Sequence, residues 1–231
     1  MKPWLSVEYD QLFHQIHQLE ARVITFAGAS SGCGTSTHCN WLARRCAEEQ
    51  NKVLLIDLDL GGSGQGFPAK SWMCDGNGES EALIHITDQL DVLPRPSHER
   101  TILDLRQRQL LLKTLERWKQ DYHYIFCDAG TMSNTNWRNL PITAISHASD
   151  ATILCLAAAK TTESELLTCM KKIEQSGISL FGTLINDQNN PSLANEIIRV
   201  LNGKARWLPN KLKHKLIDYL DTSPLLQGKY Q

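Results

Sequence analysis

The sequence predicts an α/β fold: a mostly parallel, twisted sheet of about seven strands, flanked by helices on both faces. Two observations carry that expectation. Apolar, β-branched runs alternate with longer stretches of helical periodicity, as in a parallel sheet covered on both sides. A glycine-rich segment follows the first apolar run and opens a helix, and two later runs end in aspartate. At 231 residues, 42% hydrophobic and 21% charged, the chain is expected to form a single domain over residues 1–231. A formal net charge of −1 gives no global attraction to nucleic acid or to an anionic membrane, so no nucleic-acid partner is expected.

Residues 1–20 are expected to form an N-terminal helix. The run Val23-Ile-Thr-Phe-Ala27 predicts a first strand over 22–27. After the glycine segment, Cys39, Leu42, Ala43 and Cys46 recur at helical spacing and should face the sheet, with Arg44, Arg45, Glu48 and Glu49 on the other side. Strands follow at 52–57, 90–93, 124–128, 151–157 and 180–185, with a weaker one near 205–208. Between the second and third, residues 61–80 are rich in glycine and read as a flexible surface excursion or a partner-contacting loop.

Thr162-Glu-Ser-Glu165 forms a capping box that starts a helix, with Leu166, Leu167, Met170 and Ile173 as its expected buried stripe and Gly177 as its stop. Another helix opens at Pro191-Ser192 and ends near Gly203. Residues 209–231 contain a basic amphipathic helix, Lys211 to Leu220, and a tail. Its apolar face is small, which favours docking on the domain over a membrane role. The start, Met1 to Ser6, lacks an apolar segment of signal-peptide length, and no run approaches the roughly 20 residues of a bilayer span. The expectation is a cytoplasmic protein.

Seven cysteines lie dispersed without a C-x-x-C pair and suit reduced thiols in a core. The eight histidines show no metal-ligand spacing. His38 sits at the loop–helix junction and is the one histidine with a candidate functional place.

The chemistry gathers around Gly28-Ala-Ser-Ser-Gly-Cys-Gly-Thr-Ser-Thr37. A glycine loop between a strand and a helix holds phosphate through backbone N–H groups and the helix N-terminus. Val53-Leu-Leu-Ile-Asp-Leu-Asp59 ends in two carboxylates, Asp57 and Asp59, one residue apart and on one side of an extended chain. Tyr124-Ile-Phe-Cys-Asp128 is a second apolar run ending in aspartate. Leu184-Ile-Asn186-Asp187 closes a late strand with an amide. Ligands of open α/β sheets bind at these strand ends.

On these motifs, over roughly residues 6–190, the chain resembles the MinD/ParA group of P-loop ATPases, and more closely the cytoplasmic domain of bacterial polysaccharide tyrosine kinases. It also resembles the MinD-like accessory protein of cellulose secretion, whose loop likewise carries threonine for lysine. The resemblance implies a P-loop fold that binds ATP or ADP with Mg²⁺. Ser31, Gly32, Cys33, Gly34, Thr35, Ser36 and Thr37 would line the phosphates, and Asn186 would contact adenine. Ser36, Asp57, Asp59 and Asp128 would hold the metal or its waters, and Asp57 would be the catalytic carboxylate if the protein turns over. It implies a membrane-bound polysaccharide synthase or co-polymerase as partner, a homodimer as an available form, and peripheral attachment to the inner membrane through that partner.

The departures are specific. Thr35 stands where the phosphate lysine falls, and Ser30 and Ser31 replace the signature lysine and its glycine neighbour. Losing one charged hydrogen bond of roughly 1.5–3 kcal/mol weakens triphosphate binding by roughly one to two orders of magnitude. Gln11 and His14 replace both arginines of the kinases' subunit-contact motif, and the tail Leu226 to Gln231 offers one tyrosine instead of a cluster. Three readings stand: an impaired nucleotide-binding regulatory subunit, a scaffold that binds no nucleotide, and a weak ATPase or kinase using a substitute cation such as Arg138 or Lys160.

Overall fold

The computed structural model describes residues 2–132, 142–188, 193–203 and 210–222. The chain divides into two compact units, Met1–Asn186 and Asp187–Gln231. In the first, a 3-10 turn (Pro3–Leu5) leads into α1 (Val7–Gln18), β1 (Val23–Gly28), α2 (Thr35–Glu48), β2 (Val53–Asp57) and α3 (Glu79–Ala82). Then come β3 (Ile84–Thr87), β4 (Leu90–Leu93), α4 (Glu99–Leu105), α5 (Arg108–Asp121), β5 (Tyr124–Thr131), α6 (Ile142–His147), β6 (Ala151–Ala157), α7 (Glu163–Ser176) and β7 (Leu180–Asn186). The second unit contains α8 (Leu193–Gly203) and α9 (Asn210–Thr222).

The seven strands form one sheet in the order β3-β4-β2-β5-β1-β6-β7. All neighbours run parallel except the antiparallel β3–β4 pair. Strand alternation sends successive side chains to opposite faces. Ile24, Phe26, Leu55 and Phe126 meet Phe13, Ile16, Leu42 and Cys46 from α1 and α2. Leu54, Ile56, Ile125 and Leu154 meet Leu115, Trp118, Ile145 and Ile173 from α5, α6 and α7. Burying each such large side chain contributes roughly 1.5–3 kcal/mol. The α/β fold with helices on both faces is therefore as expected.

Several local expectations change. β3 was not foreseen. It is a four-residue edge strand that adds the antiparallel partner to β4. The buried side of α7 is Cys169 and Ile173, flanked by the partly buried Leu166, whereas Leu167 and Met170 are exposed. The helix is rotated so that the small thiol, not the longer side chains, meets the sheet. Arg45, expected on the outer side of α2, is buried because α1 packs there. Its guanidinium lies over the Phe13 ring and pairs with Asp10 and Glu49.

The glycine-rich segment after β2 has firm anchors. Trp72 is fully buried and donates its indole N–H to the Pro94 carbonyl at 2.8 Å. Glu79 is buried, and its carboxylate accepts from Arg117 at 2.5 and 2.7 Å and from the Trp118 indole at 3.1 Å. All seven cysteines are free thiols, and six are buried. Among the described residues, no helix is long and apolar enough to cross a membrane. In the second unit, α9 buries Leu220 and exposes Leu216 and Tyr219. The strand expected near 205–208 and the opening Pro191-Ser192 lie outside the described residues, as does Arg138.

Candidate nucleotide site

β1 sits between β5 and β6, so its loop emerges at the centre of the sheet's C-terminal edge. Ala29 N–H donates to the Cys155 carbonyl at 2.9 Å and fixes where the loop begins. Gly32 and Gly34 then adopt φ of +72° and +90°, a region that favours glycine. Both positions are also closely approached by other side chains. A Cβ at Gly32 would lie 2.6 Å from the Lys160 Nζ, and one at Gly34 would lie 2.5 Å from the Asn186 Nδ2. Gly34 caps α2, whose 14 residues present their unpaired first-turn amides and positive dipole end to the loop.

Thr35, expected at the lysine position, does not reach outward. It is buried, its hydroxyl lies 3.2 Å from the Cys33 Sγ, and it crowds the position a Gly28 Cβ would take. Its side chain fills the underside of the loop. The Asn186 side-chain amide donates to the Cys33 carbonyl at 3.3 Å, which ties the end of β7 to the same loop.

The carboxylates follow from sheet register. β5 separates β1 from β2, and Asp57 is paired directly with Asp128. Both are fully buried. Asp57 Oδ2 accepts from Gln65 N–H at 2.8 Å, Oδ1 accepts from Asp59 N–H at 3.2 Å, and Arg95 Nε stands 3.8 Å away. Burial raises the Asp57 pKa to about 7; the Gln65 amide and Arg95 oppose that rise, and neighbouring Asp128 adds to it. Burial likewise raises Asp128, against hydrogen bonds from Ser36 and Gln65. Asp59 Oδ1 accepts from Gly62 N–H at 2.9 Å and from Gly61 N–H at 3.3 Å. The structure thus gathers Ser36, Asp57 and Asp128, while Asp59 is engaged in capping the next turn.

Among the described residues, no three His, Cys, Asp or Glu side chains form a ready-made metal cage. Mg²⁺ does not require one, because it keeps several waters and takes one or two protein ligands beside phosphate oxygens. The donor set fits such an ion: Asp128 Oδ1 is buried and carries no hydrogen bond. A buried, unpaired carboxylate oxygen is costly unless something answers it.

Gln65 and Arg95 belong to the site and were not foreseen. Gln65 donates its side-chain amide to Asp128 Oδ2 at 2.7 Å and to the Ser36 carbonyl at 3.1 Å, and accepts from Asn40 at 3.2 Å. It borders a cleft of about 250 Å³ with Ser36, Thr37, Asn40, Trp41 and Gly64. Arg95 donates to the Gly62 carbonyl at 2.8 Å and so braces the same turn. Signals existed for both: the loop leaves the end of β2 directly, and Arg95 lies two residues beyond β4, the neighbour of β2.

His38 is buried against the loop, its Nε2 3.2 Å from where a Gly34 Cβ would stand. Its Nδ1 shares a hydrogen bond with the Tyr9 hydroxyl, and Trp41 packs edge-on against its ring. Burial lowers its pKa, which favours the neutral ring, and its Nε2 carries no hydrogen bond.

No protein-family model and no curated protein matches the chain in sequence. In structure it is similar to the BceF tyrosine kinase domain, with a TM-score of 0.64 and 22% identity, covering 77% of this chain and 74% of that one. A ParA-family ATPase from Chlorobium tepidum has a TM-score of 0.51 and 16% identity, covering 87% of this chain and 99% of that one. Cobyrinic acid a,c-diamide synthase from Mycobacterium smegmatis, solved with an ATP analogue and magnesium, has a TM-score of 0.53 and 19% identity, covering 80% of each chain. The fold is that of the P-loop ATPases.

Proposed function

We propose that this chain is a MinD/ParA-like nucleotide-binding regulatory subunit with impaired chemistry, binding ATP or ADP with Mg²⁺ in a bacterial exopolysaccharide synthesis or secretion system. The observation that carries the nucleotide reading is the pairing of buried Asp57 and Asp128 beside Ser36, with an unanswered Asp128 Oδ1, under a glycine loop that opens a helix. Bound Mg²⁺ would supply charge neutralisation at the phosphates. Ser36 would hold it, and Asp57 and Asp128 would orient its waters. The loop amides would take the phosphate oxygens.

Impairment is supported by Thr35, whose side chain turns inward and offers no cation where phosphoryl transfer needs one. The role in polysaccharide assembly, with docking on a membrane-bound synthase or co-polymerase, rests on the motif resemblance.

Calorimetric titration with ATP and ADP, with and without Mg²⁺, tests the binding step, and phosphate release tests turnover. Saturable Mg²⁺-dependent binding with hydrolysis near background is expected. No binding at millimolar nucleotide would leave a scaffold, and turnover abolished by Asp57→Ala would restore an active ATPase.

A further inference from the structure

We propose that Lys160 supplies the phosphate-facing positive charge that the loop itself lacks, so that nucleotide phosphate is held between its ammonium and the amides of Gly32 to Ser36. This rests on the nucleotide reading above and names the group that makes it workable without a loop lysine.

The placement comes from topology. β6 lies beside β1, so the turn after β6 and the glycine loop leave the same edge of the sheet as neighbours. Lys160 sits in that turn, and its Nζ reaches the open face of Gly32, 2.6 Å from where a Cβ would stand. Gly32 is thus a glycine for its φ of +72°, and its bare face leaves room for the ammonium above it.

The turn is built to hold that position. Ala159 takes a φ of +58°, a conformation that L side chains rarely adopt. Lys160 and Thr161 N–H groups both donate to the Ala157 carbonyl, at 3.2 and 2.9 Å. The Thr161 hydroxyl accepts from Ala157 N–H at 2.9 Å and lies 3.0 Å from the Ser30 hydroxyl. Ala158 N–H donates to the Asn186 carbonyl at 2.8 Å, and the Thr162 capping box fixes the start of α7. Ser30, one of the two serines in the signature positions, therefore pins to the loop the turn that delivers another lysine.

The charge is available. Among the described residues, no carboxylate lies within ion-pair distance of Lys160. Glu165 feels its field, yet that carboxylate is engaged by the Thr162 N–H and hydroxyl at 2.8 and 2.9 Å. A cation beside the loop is indicated independently by Asp128 Oδ1, fully buried and unpaired on β5, the other neighbour of β1.

The test is calorimetric affinity of the full chain for ATP, ADP and AMP with Mg²⁺, in wild type, Lys160→Ala and Lys160→Arg, with thermal melting as the folding control. Lys160 is exposed, so both variants should melt as wild type does. Lys160→Ala is expected to weaken ATP binding roughly 10- to 100-fold, AMP much less, with Lys160→Arg recovering most of the loss. Unchanged ATP affinity in Lys160→Ala, or an equal loss for ATP and AMP, would overturn the inference and leave the nucleotide reading standing. Absence of binding by wild type would overturn both.

Discussion

Gln65 donates its side-chain amide to Asp128 Oδ2 at 2.7 Å, and that bond closes the turn after β2 over a fully buried carboxylate of the site. An incoming cation at Asp128 finds Oδ1 free but shares the carboxylate's charge with a neutral donor on Oδ2. The two compete for the same charge.

Gln65→Ala should therefore act in two directions. The ligand-free protein should lose about 1–3 kcal/mol, because Asp128 is left buried with less hydrogen bonding. Mg²⁺-nucleotide affinity should rise several-fold, because the amide on Oδ2 no longer draws on the carboxylate's charge. Denaturant unfolding and calorimetry on one preparation read both, and lower stability with lower affinity would contradict the competition.

Asp57 gives the ligand-free protein a pH dependence of definite sign. Its folded pKa of about 7 lies above the unfolded value of 3.8, chiefly through burial. Between those values the folded state binds more protons, so stability should fall as pH rises from about 4 to about 7. Asp57→Asn should flatten that slope, leaving the part due to Asp128, which is shifted the same way. Urea unfolding at pH 5 and pH 8 checks this, and an unchanged slope in the variant would refute it.

His38 titrates with the opposite consequence. Burial holds its folded pKa below 6.5. The folded state thus binds fewer protons there, and stability is lost as pH falls below about 6.5. His38→Gln should remove that acid sensitivity, visible as a smaller drop in melting temperature between pH 7 and pH 5.5.

Glu79 anchors the glycine-rich segment through Arg117 and Trp118. Glu79→Ala should cost about 2–3 kcal/mol, since a buried indole N–H loses its acceptor and the guanidinium its partner. Limited proteolysis should then cut within residues 61–80, where wild type resists.

The most legible strands are five or more residues long, almost wholly buried, and read as continuous apolar runs, although the short β4 and the half-exposed β7 were foreseen as well. β1, β2, β5 and β6 are of this kind, and Asp57, which ends β2, proved to be the register partner of Asp128, which lies inside the longer β5. β3 escaped because its alternation, Ile-His-Ile-Thr, lasts only four residues. Arg45 was misplaced because its burial depends on α1 crossing α2, a tertiary event with no local trace. Gln65 and Arg95 reach the site through loop paths, which hydrophobic patterning does not encode. Lys160 was visible as a candidate cation, and the turn geometry, with Ala159 at positive φ and Thr161 on Ser30, is what supports its proposed role.

Titration of the full chain with ATP, with and without Mg²⁺, tests the central claim most directly: that a nucleotide site persists without a loop lysine. The account predicts one saturable site whose affinity rises with Mg²⁺ and whose Mg²⁺ dependence disappears in Asp128→Asn. Absence of saturable binding at millimolar ATP, in protein that melts cooperatively, would contradict it.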